Sequence, residues 1–394
     1  MAGVGLMLPP DRAALAWLEP LLDEIDYGEV APETLWGPQR TPNGFHRILS
    51  SLAGALPFVA HGVGASLCGA DGGHWEQHLS ALARDHEVFG YLWISDHLGA
   101  VQLAGQHVGL PVPVPDWEGR LARRLGYLQA LVGVAAVENS AWYAPIQGMA
   151  QEAAGLRRVL GEQHHLVLDV HNLWCNSINA EQDLELWLEQ APLHRVIEIH
   201  ISGGSEAPAA WSPKRRRRMD SHDGAVPEEV WGLLERVLPR CTGVRGVTLE
   251  RLENTFDGGD VPLLGQELGR IRETLGSFGQ PLGGPGEGAL AQALALVDEN
   301  EDSSHEQALL ESLISRIPLE GMDAHGVGIA ARLVLRLRFE RLIHGHPPAS
   351  EHFERDPQDF AQKMGRYHRE VPLAAATPWG EAALWQNWSD NQTG

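Results

Sequence analysis

Short apolar runs followed by ionisable or amide residues recur along the first 275 residues, and this recurrence restricts the fold more than any other feature. Eight such runs are legible: Gly5–Leu8, Asp26–Glu33, Leu56–Gly64, Tyr91–Gly99, the stretch VGVAAVENS, Leu166–Leu168, RVIEIHISGG and VRGVTLERLEN. A helical or loop crossover follows each one. Alternation of strands with helices implies parallel pairing. Eight units in about 250–280 residues fit a (β/α)8 TIM barrel. An open, doubly wound sheet is the alternative arrangement of the same units. In the barrel the C-terminal ends of the strands carry the chemistry. The polar residues fall at those ends: His61, His97, Glu138, Asp169, His200 and Glu250, with Asp220 and His222 in the loop after the seventh strand.

The densest stretch is His164–Asn179, HHLVLDVHNLWCNSIN. A buried strand ends on Asp169, and His171 and Asn172 follow within three residues. A carboxylate, an imidazole and an amide resist burial without partners, and a metal ion is one such partner. A single histidine at such a place is ordinary structure. A set of them, each at the equivalent edge of a separate unit, is not. Nitrogen and oxygen donors without a CxxC pair suit iron, manganese or catalytic zinc. Eight or nine donors exceed one octahedral shell, so more than one ion is expected.

The remaining features bound the function. The formal charge of −22 disfavours nucleic acid and anionic membrane as partners. Cys68, Cys175 and Cys241 form no disulfide framework, which points to a reducing, cytoplasmic setting, and Cys68 and Cys175 read as buried small hydrophobes. No signal peptide or membrane span is expected. Gln102–Asp116 reads as a long loop, a lid or a substrate wall. Lys214–Arg218 reads as a solvated loop or as a clamp for an acidic leader peptide or a carboxylate. The Pro/Gly-rich residues 279–288 read as a linker between a barrel of residues 1–278 and a small α-helical C-terminal domain of residues 289–394. That domain is expected to hold helices at Ala289–Asp298, His305–Ile317 and Gly328–Ile343, with a turn at Pro378–Gly380.

The ordered motifs DYGEVAPE, HGVGAS, SDHLG, ENS, LDVHNLWCNSIN, EIHISG, MDSHDGAVPEEVW and TLE cover Gly3 to Ser277. In that order and spacing the chain resembles the multinuclear non-haem iron-dependent oxidases, the family that includes the methanobactin-maturing enzyme. The resemblance implies a barrel holding two or three irons, with dioxygen as co-substrate. It implies oxidation of a residue, most often cysteine, in a ribosomally synthesised precursor peptide. A partner protein commonly presents the leader, and the C-terminal domain reads as a fused equivalent or as a capping unit. Carried over position by position, the metal ligands are His61, His97, Glu138, Asp169, Asn172, His200, Asp220, His222 and Glu250. Asp96, Asn139 and His171 lie beside ligands and are expected to orient them or act at the metal. Glu29 and Glu33 are expected to line the mouth.

Three positions depart from the family pattern. His171 stands where a second asparagine is expected. Ile201-Ser202-Gly203-Gly204 replaces a run ending in histidine. Arg251 replaces an aromatic residue. A divalent-metal isomerase or hydrolase of the xylose-isomerase type is the competing reading. Such an isomerase usually places a lysine near its metal pair, and Lys214 and Lys363, the only lysines, are on no strand end.

Overall fold

The computed structural model describes residues 1–70, 73–146, 148–252, 254–297 and 303–392. Eight parallel strands close a barrel: β1 (Gly3–Met7), β2 (Tyr27–Val30), β3 (Phe58–Gly62), β4 (Ile94–His97), β7 (Ala135–Glu138), β8 (His165–Asp169), β9 (Val196–Ser202) and β10 (Gly246–Glu250). β1 pairs with both β2 and β10, which seals the sheet and excludes the open alternative. The crossover helices carry an apolar stripe toward the sheet, as in Trp75–Phe89 and Val261–Leu275.

Side chains alternate in and out along a strand, so each strand feeds the interior at every second residue. The lower interior layer is bulky: Tyr27, Val59, Trp93, Ala136 and Val167 are fully buried, with Glu198 and Thr248 among them. Tyr27 fits because β1 and β10 offer glycine beside it. A Cβ on Gly5 would stand 2.4 Å from the tyrosine ring, and one on Gly246 2.2 Å from its hydroxyl. One step up the strands lies the layer of Glu29, His61, Ser95, Glu138, Asp169, His200 and Glu250, and His97 stands a further step up β4.

Two expectations need correction, and one further helix appears. The stretch Gln102–Asp116 is not an open loop. It lies largely in an antiparallel hairpin, β5 (Ala100–Leu103) and β6 (Gln106–Val112), turned at Ala104-Gly105, both with positive φ as a type I′ turn requires. Residues after Asp169 form a helix, Val170–Ala180, whose N-terminus Asp169 caps through Asn172 N–H. Pro378-Trp379-Gly380 opens a helix, Pro378–Gln392, rather than making a turn, since proline is tolerated in a helix's first turn.

Residues 279–288 run extended across the N-terminal end of the barrel. Gln280 N donates to Val244 O at 2.7 Å, and Ala289 N to Ala130 O at 2.8 Å. The C-terminal region beyond is helical, with Leu290–Leu294, Ser304–Ser315, Ala324–Gly345, Pro347–Arg355, Pro357–Glu370 and Pro378–Gln392. The expected end of its first helix, Asp298, lies outside the described residues. Leu309, Leu313 and Val334 join the barrel's own core, whereas Leu342, Phe360, Met364, Tyr367, Trp385 and Trp388 form a separate one. No described helix is long and apolar enough to cross a membrane.

Candidate metal centre

The upper layer converges. His61 Nε2 and His97 Nε2 each lie 3.1 Å from Glu138 Oε2. His200 Nδ1 lies 3.4 Å from Glu138 Oε1 and 3.3 Å from Glu250 Oε1. His222 Nε2 lies 2.7 Å from Asp220 Oδ1 and 3.8 Å from Glu250 Oε2. Ligand-type atoms within 4.8 Å of one another fall into four overlapping groups: His61/His97/Glu138, Glu138/Asp169/His200/Glu250, Asp169/Asp220/His222, and Glu29/His61/His200. Residues from β2, β3, β4, β7, β8, β9, β10 and the loop after β9 thus meet at one end of the barrel.

The donor atoms are close but mostly not hydrogen-bonded. Glu138 Oε2, Asp169 Oδ2, Asn172 Oδ1, Asp220 Oδ1, Glu250 Oε2, both nitrogens of His200 and both of His222 are buried without a hydrogen-bond partner, and so are both oxygens of Glu29. Buried polar groups are normally paired, and exceptions require a cause. Four carboxylates and four histidines, without hydrogen bonds between them among the described residues, fit a shell of cation ligands.

Electrostatics agree. Burial, then the charges of Glu138, Glu250 and Asp220, pushes the Asp169 carboxyl well above its ordinary range. Burial would lower His97, yet Glu138 and Asp96 push it up to about 10. Burial would likewise lower His222, yet Asp220 and Glu250 carry it to about 10. Burial would raise Glu138, but His97 and His61 hold it well below the usual carboxylate range. Protons gather on the histidines because the carboxylates demand positive charge, and a divalent ion meets the same demand. The rim is graded in access. His97, Asp220 and His222 keep 15%, 20% and 13% of their side-chain surface, against 0–3% for His200, Glu138 and Glu250. The centre therefore opens on the His97/Asp220/His222 side. There His222 sits at φ 48, an uncommon backbone for a non-glycine residue and the kind found at functional sites.

The structure sorts the neighbouring residues expected beside ligands. Asp96 accepts Ala65 N at 2.9 Å and His97 N at 2.6 Å, with Oδ1 3.8 Å from His97 Nδ1, so it anchors the loop after β3 and flanks the His97 ring. Glu33 holds the same loop through Gly64 N at 3.0 Å and Val63 N at 3.3 Å. Asn139 bridges to the Asp169 backbone with both ends of its amide, 2.9 and 3.0 Å. Asp96 and Asn139 therefore hold the backbone of His97 and Asp169. His171 lies 3.7 Å from Asp220 and 3.6 Å from Cys175 Sγ, inside helix Val170–Ala180. A Cβ on Gly204 would stand 2.5 Å from the His171 ring. Two of the sequence departures thus meet in space: the His171 ring fills the room beside Gly204. Arg251 turns outward to Glu267, 2.9 Å away.

Two residues of the assembly lay outside the expected ligand set. Glu29 is buried in β2 with Oε2 3.0 Å from His200 Nε2. Glu198 is fully buried two residues before His200. Its signal was present, since a glutamate at i−2 from a histidine in an otherwise apolar strand shares its inward face. The Lys214–Arg218 run is divided: Lys214 and Arg216 are exposed, whereas Arg217 and Arg218 are buried. Arg217 pairs with Asp323 of the C-terminal region and with Asn179 O. Arg218 bonds Gly204 O and covers the Trp174 ring at 4.2 Å. All three cysteines are buried and free.

Comparison with known proteins supplies the context. A UPF0276 protein of Pseudomonas aeruginosa is 32% identical over 287 residues, covering 69% of this chain and 92% of that one. A UPF0276 protein of Streptomyces avermitilis is 31% identical over 268 residues, covering 65% of this chain and 52% of that one. Among solved structures, a putative xylose isomerase from Rhodospirillum rubrum aligns at 15% identity with a TM-score of 0.46, over 71% of this chain and 100% of that one. The family model for the RiPP precursor modification enzyme MbnB/TglH/ChrH matches residues 1–275, and the chain belongs to that family of enzymes acting on ribosomally made precursor peptides.

Proposed function

We propose that this protein is an iron- and dioxygen-dependent oxidase that modifies a residue, a cysteine, of a ribosomally synthesised precursor peptide. The observation that carries the reading is the set of buried, unpaired donor atoms at the barrel mouth in a member of a peptide-modifying family. His61, His97 and Glu138 would hold one ion. Glu138, Asp169, His200 and Glu250 would hold a second. Asp169, Asp220 and His222, beside Asn172, would hold a third. His/carboxylate sets without thiolate suit ferrous and ferric iron. Bound iron would supply the redox capacity for oxidising the thiol-bearing carbon with dioxygen.

The chain's own residues do the rest. The open rim at His97, Asp220 and His222 admits the peptide side chain. Tyr143, which accepts Asp220 N–H at 3.1 Å, fixes the outer loop. The aromatic floor of Tyr27 and Trp93 excludes water from below. Residues 289–394 serve as a brace of the mouth rather than as a separate presenter of peptide. Glu306 accepts N–H from Ala70 and Ala104, and Asp323 pairs with Arg217, so three mouth segments lean on this region. A cytoplasmic setting fits three free, buried cysteines.

Purified protein should contain more than one iron per chain. It should consume oxygen only with a short cysteine-bearing peptide encoded beside its gene. Zinc or manganese without oxygen uptake would instead favour the isomerase or hydrolase reading. Absence of any metal after anaerobic reconstitution would overturn both.

A further inference from the structure

We infer that Glu29 and Glu198 form an acidic floor beneath the metal centre and act as positioning residues, holding His200 with its Nε2 turned to them and its Nδ1 left for the ligand set. The inference rests on the metal-centre reading above. It concerns residues on β2 and β9 that this reading does not use.

His200 has two carboxylates facing each nitrogen of its ring. Nδ1 faces Glu138 Oε1 at 3.4 Å and Glu250 Oε1 at 3.3 Å, within the four-residue group that also holds Asp169. Nε2 faces Glu29 Oε2 at 3.0 Å and Glu198 Oε2 at 3.7 Å. One nitrogen thus looks into the densest cluster of donors and the other looks into the floor. A neutral imidazole carries one N–H, and a carboxylate 3.0 Å away attracts that proton to its own side. The opposite nitrogen is then a lone pair aimed at the ligand set. Ligating histidines commonly keep such a carboxylate behind the far nitrogen, which fixes tautomer and ring orientation. Off-line geometry leaves no formal hydrogen bond between Glu29 and His200. The attraction here is one of charge, which tolerates misalignment.

Glu198 differs from Glu29 in being fully held. Its Oε1 accepts from Tyr27 OH at 2.9 Å and Thr248 Oγ1 at 2.5 Å, and its Oε2 accepts from Trp93 Nε1 at 2.7 Å. Three donors stabilise the ionised form in the interior. A fixed negative charge therefore stands below His200, and the glycines at 5 and 246 exist to admit the tyrosine that helps hold it. Glu29, with neither oxygen hydrogen-bonded, is the adjustable member. His61 is no substitute partner for it, because His61 Nδ1 is engaged by Ser95 Oγ at 2.9 Å and Nε2 faces Glu138. Two ions at the Glu29 and Glu138 groups would both require that single nitrogen. This argues for Glu29 as support rather than ligand.

The test is metal binding by the full chain, independent of turnover. Metal-free protein is titrated anaerobically with Fe(II), and separately with Mn(II), against a chromophoric chelator. Melting of the metal-free samples is followed in parallel. Glu29→Gln should weaken the tightest affinity by about 10–100-fold, with an unchanged number of ions at saturation and unchanged metal-free melting. Glu29→Asp, which keeps the charge, should recover part of the loss. Thr248→Val removes one donor to Glu198 at nearly constant shape and should weaken binding several-fold. It also carries the test if Glu29→Gln does not fold. Affinities within twofold of wild type would overturn the inference. So would a Glu29→Gln protein that saturates with one ion fewer, because Glu29 would then be a ligand. Manganese binding without iron binding in the wild type would remove the oxidase reading alone, and the variant ratios would still decide this inference. A wild type that binds neither ion would overturn both.

Discussion

The barrel mouth and the C-terminal helices both bury charge, and they differ in what surrounds it. In the C-terminal region Arg338 and Glu381 are fully buried, with Nε 2.7 Å from Oε1. Arg338 also donates to Val371 O at 2.8 Å and Pro372 O at 3.2 Å, and stands 4.1 Å over the Tyr367 ring. Opposite charges there neutralise each other and the fork is satisfied. At the mouth, Glu138, Asp169, Asp220 and Glu250 crowd one another, and their histidines come at close range without aligned hydrogen bonds. The first arrangement balances its charge as it stands, with Glu381 Oε2, itself not hydrogen-bonded, facing Arg341 Nε at 3.8 Å. The second does so only with added positive charge. Burial by itself therefore does not mark a functional site in this molecule. Unpaired burial of like charge does.

The largest expected effect breaks the balanced side. Glu381→Gln leaves Arg338 buried without its counter-charge and should cost about 3–5 kcal/mol, read by urea denaturation. The paired change Arg338→Met with Glu381→Leu should be far milder, because no lone charge remains. The same measurement on the mouth should show the converse dependence on metal. Wild type with free Fe(II) at 100 times its dissociation constant should gain about 2.7 kcal/mol, whereas the C-terminal pair needs no ligand to stabilise it. A metal-independent melting curve would contradict the contrast.

The pH dependence sharpens it further. His97 and His222, each at about 10 in the folded, metal-free protein, sit above the ordinary histidine value. Their contribution to metal-free stability is complete below about pH 6.5 and is lost as pH rises through about 10. A cation displaces those protons, so metal affinity should rise with pH across that window and binding should release protons. Calorimetry in two buffers of different ionisation enthalpy measures the release. Equal heats in both would count against ligation by these histidines.

How far the sequence carried this picture depends on the scale of each interaction. The barrel and most of its mouth were legible because strand alternation and strand-end acids are local, periodic signals. His61, His97, Glu138, Asp169, His200, Asp220, His222 and Glu250 do converge. Asp96 and Asn139 lie beside donors in sequence and, because strand neighbours face opposite ways, each holds the backbone of a candidate ligand, His97 and Asp169. Glu198 was overlooked because two residues of spacing, rather than one, put it with His200. The hairpin of β5 and β6 was hidden by proline and glycine that usually mark loops. The packing of His171 against Gly204 could not be read at all, since it joins positions 33 residues apart in sequence through a contact only the fold creates. The arginine run was ambiguous for the same reason: Asp323, the partner of Arg217, is supplied by a distant helix cap.

The finest probe of the contrast is Asp169→Asn in the metal-free protein. Removing a buried charge from the C-terminal pair destabilises, and here the sign should reverse. Asp169 is crowded by Glu138, Glu250 and Asp220, and its carboxyl is pushed well above the ordinary range, so holding it ionised at neutral pH opposes folding. Asparagine removes that opposition and keeps the helix cap, because its side-chain oxygen can accept the Asn172 N–H that Asp169 Oδ1 now accepts at 2.7 Å. Metal-free melting should rise by roughly 2–4 °C at pH 7.5, and the gain should vanish near pH 4, where the wild-type carboxyl is protonated. In the presence of Fe(II) the order should invert, with the variant the less stable because a donor to two of the groups is weakened. A variant less stable than wild type in both states would mean that Asp169 is a structural carboxylate of the same kind as Glu381.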